Sequence, residues 1–275
     1  MLDLDAKYEV VIFSIGDTKA GTKMGKLQVK NLNDESIMNC ILWEETLNRL
    51  DAKIFKCGNI IKIISGTFNE KFNNCLVSNL ELVEEAKSGL DKEQQDELFQ
   101  YLLKTADKIT DEKLKKFVTE LFFQYEQEFK IAPAAKLMHH NYVGGLLQHT
   151  SECVKIAQDF MNNFAPKLDS DTVLAACMLH DFGKIFEYQL NDETGLIDYN
   201  EDFKKDWISH SQWGYTQCMS AGFKTIAKMI ATHHGRLDWG AMIDLAERDL
   251  EPIFYIIHHI DDLSAKFGKI SVSDL

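Results

Sequence analysis

The sequence predicts a multidomain α and β chain, with a small five-stranded β-barrel first and an all-α bundle after it. Three observations carry this. Short runs rich in β-branched and aromatic residues fill positions 1–87. Near residue 88 the apolar period changes to the helical one. All nine histidines fall after residue 138, so the two parts differ in chemistry as well as in pattern. The chain has 275 residues, 45% of them apolar and only 3 of them proline, which suits a packed core rather than a low-complexity chain. Its net charge of −13 excludes a uniformly basic nucleic-acid coat. Residues 1–87 are nearly neutral, with 11 basic and 13 acidic side chains, and the remainder carries the acidic excess.

Taken in order, Tyr8–Phe13 is the first strand, Lys26–Leu32 alternates as the second, and Ile37–Trp43 follows the turn at Asn33–Glu35. A short helix over about Glu44–Asp51 precedes Ile60–Ile64 and Cys75–Val83, which are separated by the polar segment NEKFNN. Five strands with a helix after the third is the order of an OB-type barrel. SH3-like barrels also have five strands. Beyond residue 88, Asp91 and Asp111 are placed to cap helices running to about Thr105 and Phe129. Pro133 closes this helical connector, residues 88–135. Helices are then expected over Tyr142–Asn163, Ser170–His180, Lys205–Ala221, Lys224–His233 and Leu250–Phe267.

No pair among the six cysteines has CxxC spacing, so neither a zinc ribbon nor a thioredoxin motif is available. The N-terminal segment lacks a signal-peptide pattern, and no run reaches the roughly 20 apolar residues of a membrane span. The expectation is a reduced, cytoplasmic protein with no membrane partner.

The histidines are spaced like metal ligands. His149, the pair His180-Asp181, His210, the pair His233-His234 and Asp261 are separated by about one helix and loop each. That suits a bundle in which each helix offers a ligand to one centre. Imidazole mixed with carboxylate suits a dinuclear site, and the two oxygens of Asp181 can bridge two cations. A lone helical histidine is more often structural. An apolar helix ending in LHDFGK, however, buries polar groups that need a partner. Lys184 projects from the same turn and can hold a phosphoryl oxygen or act as a counter-charge.

GGLLQHT, MLHDFGK, HHG and HHIDDLSAK resemble the HD superfamily of metal-dependent phosphohydrolases. KLMHHNYVGGLLQHT, THHGRLDWG and IDDLSAKF, behind an OB-like domain, resemble the YhaM-type 3′→5′ exoribonucleases, over about residues 10–270. The resemblance implies an all-helical HD domain over residues 136–275. It implies metal ligands at His149, His180, Asp181 and Asp261, with His210 and one or both of His233 and His234 completing a second site. Two divalent ions are implied, Mn2+ first, with Fe, Co, Zn or Mg as alternatives. His233 is the preferred ligand of its pair, and His234 is a neighbouring ligand or a proton-transfer group. His139 and His140 match the MHH segment without being assigned as ligands, and His258 and His259 are read as packing or surface. Where GELEWG is common in the family, this chain has GRLDWG, so Arg236 either contacts a phosphate or pairs with Asp238.

Two metals suit phosphodiester hydrolysis, with His210 or His234 as proton donor to the leaving group. The absence of GxxxxGK[ST] argues against ATP-driven chemistry. The barrel can supply the strand grip: Lys19, Lys23, Lys26, Lys30 and Lys71 lie at the edges an OB fold uses, and Phe68 and Phe72 flank a loop where they could stack on bases. The plainer alternative is that Phe68 caps the barrel core and the lysines form a solvated rim. The leading expectation is a 3′→5′ exonuclease on single-stranded RNA, extending to single-stranded DNA, that releases 5′-mononucleotides. The alternatives are an HD phosphodiesterase or phosphatase on small nucleotides, and a non-catalytic single-strand-binding module. A homo-oligomer is compatible with each.

Overall fold

The computed structural model describes residues 2–86, 89–136, 140–190, 197–207, 209–246 and 250–268. His139 lies outside these residues. The chain divides into two compact units, Met1–Ser88 with Leu190–Asp198, and Gly89–Gln189 with Tyr199–Leu275.

The first unit is built on β1 (Tyr8–Asp17), β2 (Lys23–Asn31), β3 (Ile37–Trp43), β4 (Ile60–Asn69) and β5 (Asn74–Glu84). A single-turn helix, α1 (Glu44–Leu47), and a 3-10 turn at Ala52–Phe55 join β3 to β4. The strands close in the order β1-β2-β3-β5-β4. β3 and β5 pair in parallel at Cys40 and Cys75, and Tyr8 of β1 returns to Ile61 of β4. Alternation does the sorting: Leu27 and Val29 of β2 point inward with Val10, Leu42, Ile61, Ile63 and Val77. Phe55 stacks on Phe13, ring centres 4.0 Å apart. β4 runs five residues past the expected Ile64, so the loop read as NEKFNN shrinks to a turn at Glu70–Asn73. Asn73 takes a positive φ of 49° there. The extension is polar and interrupted by Gly66, where the β4–β5 register shifts. A Cβ on Gly66 would lie 2.9 Å from the Leu76 carbonyl, so the bend needs glycine.

The second unit is helical: α2 (Lys92–Ala106), α3 (Glu112–Gln124), α4 (Glu126–Ile131), α5 (Gly145–Asn163), α6 (Ser170–Leu179), α7 (Lys184–Glu187), α8 (Glu201–Asp206), α9 (His210–Ala221), α10 (Lys224–Thr232) and α11 (Ile253–Phe267). Two short strands, β6 (Tyr188–Leu190) and β7 (Ile197–Tyr199), follow α7, with Leu190, Ile197 and Asp198 belonging to the first unit. Asp91 forms a capping box with Gln94, and Asp111 caps α3 through the amides of Lys113 and Leu114. The helix expected to Phe129 breaks at Tyr125, whose φ is −119°. The helix expected over Lys205–Ala221 is two helices, because Ser209 adopts an extended backbone and caps α9 through Gln212. α5 starts at Gly145 rather than Tyr142, since Gly144 has a φ of 83°. Helices α2, α3 and α4 share the core of this unit through Leu98, Phe99, Phe122 and Phe129. α6 is buried on all sides from Val173 to Leu179, so its C-terminal end delivers His180 to the interior.

Candidate metal centre

Five elements converge on one carboxylate. Asp181, two residues after the end of α6, is buried and sends its two oxygens in different directions. Oδ2 lies 3.4 Å from His149 Nε2 of α5 and 3.6 Å from His180 Nε2. Oδ1 lies 3.2 Å from His210 Nε2 of α9 and 3.5 Å from His233 Nε2 at the end of α10. Asp261 of α11 joins the first group, 3.2 Å from His149 Nε2. Two sets of donors share Asp181, His149–His180–Asp181–Asp261 and Asp181–His210–His233–His234; His149 is also grouped with Cys153 and His180, and with His140 and Glu152. Within each set the ligand atoms lie within 4.8 Å of one another.

The hydrogen bonds of the rings show what these atoms can hold. His180 Nδ1 is bound to the Cys177 carbonyl at 2.9 Å, and His233 Nδ1 to the Ile230 carbonyl at 2.6 Å. His210 Nδ1 is bound to the Glu187 carboxylate. A carbonyl or carboxylate only accepts, so each Nδ1 carries the proton and each Nε2 lone pair faces the centre. Asp181 Oδ1, His210 Nε2, His233 Nε2 and His234 Nδ1 are buried without a hydrogen-bond partner. Four such atoms in one place would be costly unless a cation sits among them. The donor set therefore fits divalent metal binding of mixed imidazole and carboxylate ligation.

The electrostatics agree. Burial alone would raise the Asp181 pKa, but Lys184, His180 and hydrogen bonds from His149 and His210 hold it well below the usual carboxylate range. Burial pushes His180 down to about 4 and His234 down to about 2, the latter helped by His233 and His210. Both are neutral at pH 7, with lone pairs available. Burial opposes charge on His149, yet Cys153, Asp181 and Asp261 raise it well above its ordinary value. His210 is raised in the same way by Asp181 and Glu187. The carboxylates thus draw positive charge to these two rings, and a divalent ion can supply it in place of the protons.

Each residue anticipated from the sequence has a definite place. His149, His180, Asp181, His210, His233, His234 and Asp261 come together. Lys184 Nζ lies 2.6 Å from Asp181 Oδ2, as a counter-charge. Arg236 is exposed and pairs with Asp238 at 2.9 Å, with its guanidinium 5.3 Å from the Trp239 ring centre. His258 bonds the His233 carbonyl at 2.7 Å, and His259 is exposed. In the barrel, Lys19 and Lys26 are exposed. Lys23 pairs with Asp17 at 3.1 Å, and Lys30 with Glu35 at 3.0 Å. Phe68 is half-buried against the barrel core. Phe72 is 65% exposed, with Lys71 Nζ 5.4 Å from its ring centre. Sequence reasoning missed Glu187, the partner of His210, and Cys153, whose Sγ lies 3.7 Å from His149 Nε2. Burial raises the Cys153 pKa, which keeps the thiol protonated. Glu187 sits three residues after Lys184 in the same turn, and that spacing was the available signal.

Residues 146–266 match the HD domain family. The helical unit therefore holds an HD domain, and every residue of the two donor sets falls inside it. A second family model, described as a putative helicase, matches residues 81–185. The chain is 26% identical over 166 residues to the 3′-5′ exoribonuclease YhaM of Geobacillus sp. (strain WCH70), covering 57% of this chain and 48% of that protein. It is 26% identical over 166 residues to the protein of the same name from Bacillus pumilus (strain SAFR-032), covering 50% of that protein. The chain spans about half the length of the curated relatives it matches. No solved structure matches. Among the described residues, no helix is long and apolar enough to cross a membrane.

Proposed function

We propose that this chain is a metal-dependent 3′→5′ exonuclease that hydrolyses phosphodiester bonds of single-stranded RNA, and of single-stranded DNA as a second substrate, to 5′-mononucleotides. The observation that carries the reading is Asp181, whose two oxygens each face two imidazole nitrogens. Divalent cations held by these donors, Mn2+ first, would supply Lewis-acid activation of water and neutralise phosphoryl charge. The protein's own groups do the rest. Glu187 and the carbonyls of Cys177 and Ile230 keep the ring nitrogens pointed inward. Lys184 holds a positive charge beside Asp181, where a phosphoryl oxygen would approach. His234, neutral and with an unpartnered Nδ1, is suited to ligate; its lowered pKa leaves it no proton to donate and makes it a poor proton acceptor. The proton to the leaving oxygen must then come from solvent, because His210 keeps its Nδ1 proton on Glu187 and offers its Nε2 lone pair to the metal.

The barrel is proposed to be of OB type, on its strand order and parallel β3–β5 closure. Exposed Lys19, Lys26, Lys71 and Phe72 are its proposed strand contacts, and Phe68 contributes to packing. RNA as substrate and the 3′→5′ polarity rest on the names of the relatives. The helicase similarity does not change this, since the chain lacks the GxxxxGK[ST] loop that ATP-driven chemistry needs.

The test uses the purified 275-residue chain with Mn2+ and a single-stranded RNA labelled at its 5′ end, then at its 3′ end. The 5′ label should give a ladder shortening from the far end, and the 3′ label should appear at once as mononucleotide. Turnover of small nucleotides with no strand shortening would favour the phosphodiesterase reading. Binding without product would favour the non-catalytic one.

A further inference from the structure

Outside the ligand set, a second line of buried polar groups runs behind His149. Its Nδ1 lies 2.9 Å from Ser264 Oγ of α11. Ser264 Oγ donates to Glu152 Oε2 of α5 at 2.6 Å. His140 Nε2 lies 3.1 Å from the same Glu152 oxygen. All four side chains are buried, three of them on elements that also carry metal-ligand candidates. Two i,i+3 pairs generate the arrangement. α5 presents His149 and Glu152 on one face, and α11 presents Asp261 and Ser264 on the face opposite. α11 thus contacts both nitrogens of one ring, Asp261 at Nε2 and Ser264 at Nδ1.

The direction of these bonds is fixed by what each group can do. A charged Glu152 has no proton, so the Ser264 hydroxyl donates to it. Glu152 does carry charge near neutrality: burial opposes this, but His140, Ser264 and Gln148 lower its pKa below the ordinary value. With its one proton committed, Ser264 Oγ can only accept from His149. The proton is therefore held on Nδ1, and Nε2 is directed at Asp181 and Asp261. We propose that Glu152, acting through Ser264 and steadied by His140, is a positioning group that sets the tautomer and orientation of His149 for metal binding. It is the counterpart of Glu187 behind His210, so each donor set contains one carboxylate-backed imidazole and one imidazole backed by a main-chain carbonyl. The backbone at His140 supports a dedicated role. Its φ is 60°, unusual for a residue other than glycine. That conformation is accommodated by Gly145, where a Cβ would clash with the His140 carbonyl. Contacts of a ligand's far nitrogen typically change metal affinity 10–100-fold.

This inference rests on the metal-centre reading, and its test separates the two. Mn2+ binding to the full chain is measured by calorimetry for wild type, Ser264→Ala, Ser264→Thr and Glu152→Gln. The Nδ1–H of His149 is followed in metal-free protein by nitrogen-15 NMR. Ser264→Ala should weaken one of two Mn2+ sites by about 10–100-fold and leave the other unchanged. Ser264→Thr, which keeps the hydroxyl, should recover most of the loss, and Glu152→Gln should act in the same direction as Ser264→Ala. The hydrogen-bonded Nδ1–H signal should be present in wild type and lost in Ser264→Ala. Unchanged Mn2+ affinities in both Ser264→Ala and Glu152→Gln, or equal weakening of both sites, would overturn the proposal. If wild type bound no Mn2+, the metal reading would fall, while the NMR signal would still decide whether Ser264 holds the Nδ1 proton of His149.

Discussion

Replacing Asp181 with asparagine preserves shape and removes the one group shared by both donor sets. A ligand present at 100 times its Kd stabilises the folded state by about 2.7 kcal/mol. Two sites filled together give about 5 kcal/mol, which for a domain of roughly 150–250 residues raises the Tm by about 10–20 °C. Wild type should show that rise when Mn2+ is added to metal-free protein, read by differential scanning fluorimetry. In Asp181→Asn most of the rise should vanish, because the amide keeps one neutral oxygen where the carboxylate offered a charged oxygen to each site. The metal-free baseline will move as well. Lys184 Nζ lies 2.6 Å from Asp181, and removing one partner of a buried pair costs about 3–5 kcal/mol. The diagnostic quantity is therefore the metal-induced increment, measured also in Asp181→Asn combined with Lys184→Met. A full-sized increment in either variant would refute the shared-carboxylate account.

Further expectations concern acid stability, the other carboxylate and the barrel. His180 and His234 have folded pKa values of about 4 and about 2, below the unfolded value near 6.5. The stability each contributes is present above pH 6.5 and is lost as pH falls towards the folded value. By pH 5 the loss is about 2 kcal/mol per ring in metal-free protein. His149 and His210 are shifted upward, so their contribution is already complete below pH 6.5 and leaves this limb unaltered. Urea unfolding of His234→Gln between pH 6.5 and 5 should show a shallower decline than wild type, and a parallel decline would count against a buried neutral ring. Glu187→Gln should weaken one Mn2+ site by about 10–100-fold in calorimetry, through His210. Replacing Lys19 and Lys26 together with alanine should flatten the slope of log affinity against log salt for single-stranded RNA by about 1.4. Phe72→Ala should instead cost about 1–3 kcal/mol of binding with the slope kept. Filter binding in calcium separates the two effects.

The parts of this molecule that were legible in sequence share a cause. Asp91 and Asp111 act within three residues, so their capping could be read from spacing alone. The same holds for the His180-Asp181 step, because an apolar helix that ends in titratable groups declares its own need for a partner. The breaks at Tyr125 and Ser209 were not legible, since neither is a proline or glycine and the neighbouring periodicity continues across them. β4 was read short because its outer half is polar and holds a glycine, features that mark a turn as readily as a bent barrel strand. Among site residues, Glu187, Glu152 and Ser264 escaped because they touch the ligands from behind. Ser264 meets His149 across 115 positions of sequence, a contact no local pattern encodes. The DxxS and HxxE spacings on α11 and α5 are a signal only once the two helices are known to face each other.

The proposed chemistry depends on Asp181 as the carboxylate between two metals. Crystals of the full chain soaked in Mn2+ and measured near the manganese absorption edge test this directly. Two anomalous peaks should appear roughly 3.5–4 Å apart. One should lie among His149, His180 and Asp261, the other among His210, His233 and His234, with Asp181 contacting both. A single peak on one side, or peaks that do not touch Asp181, would contradict it.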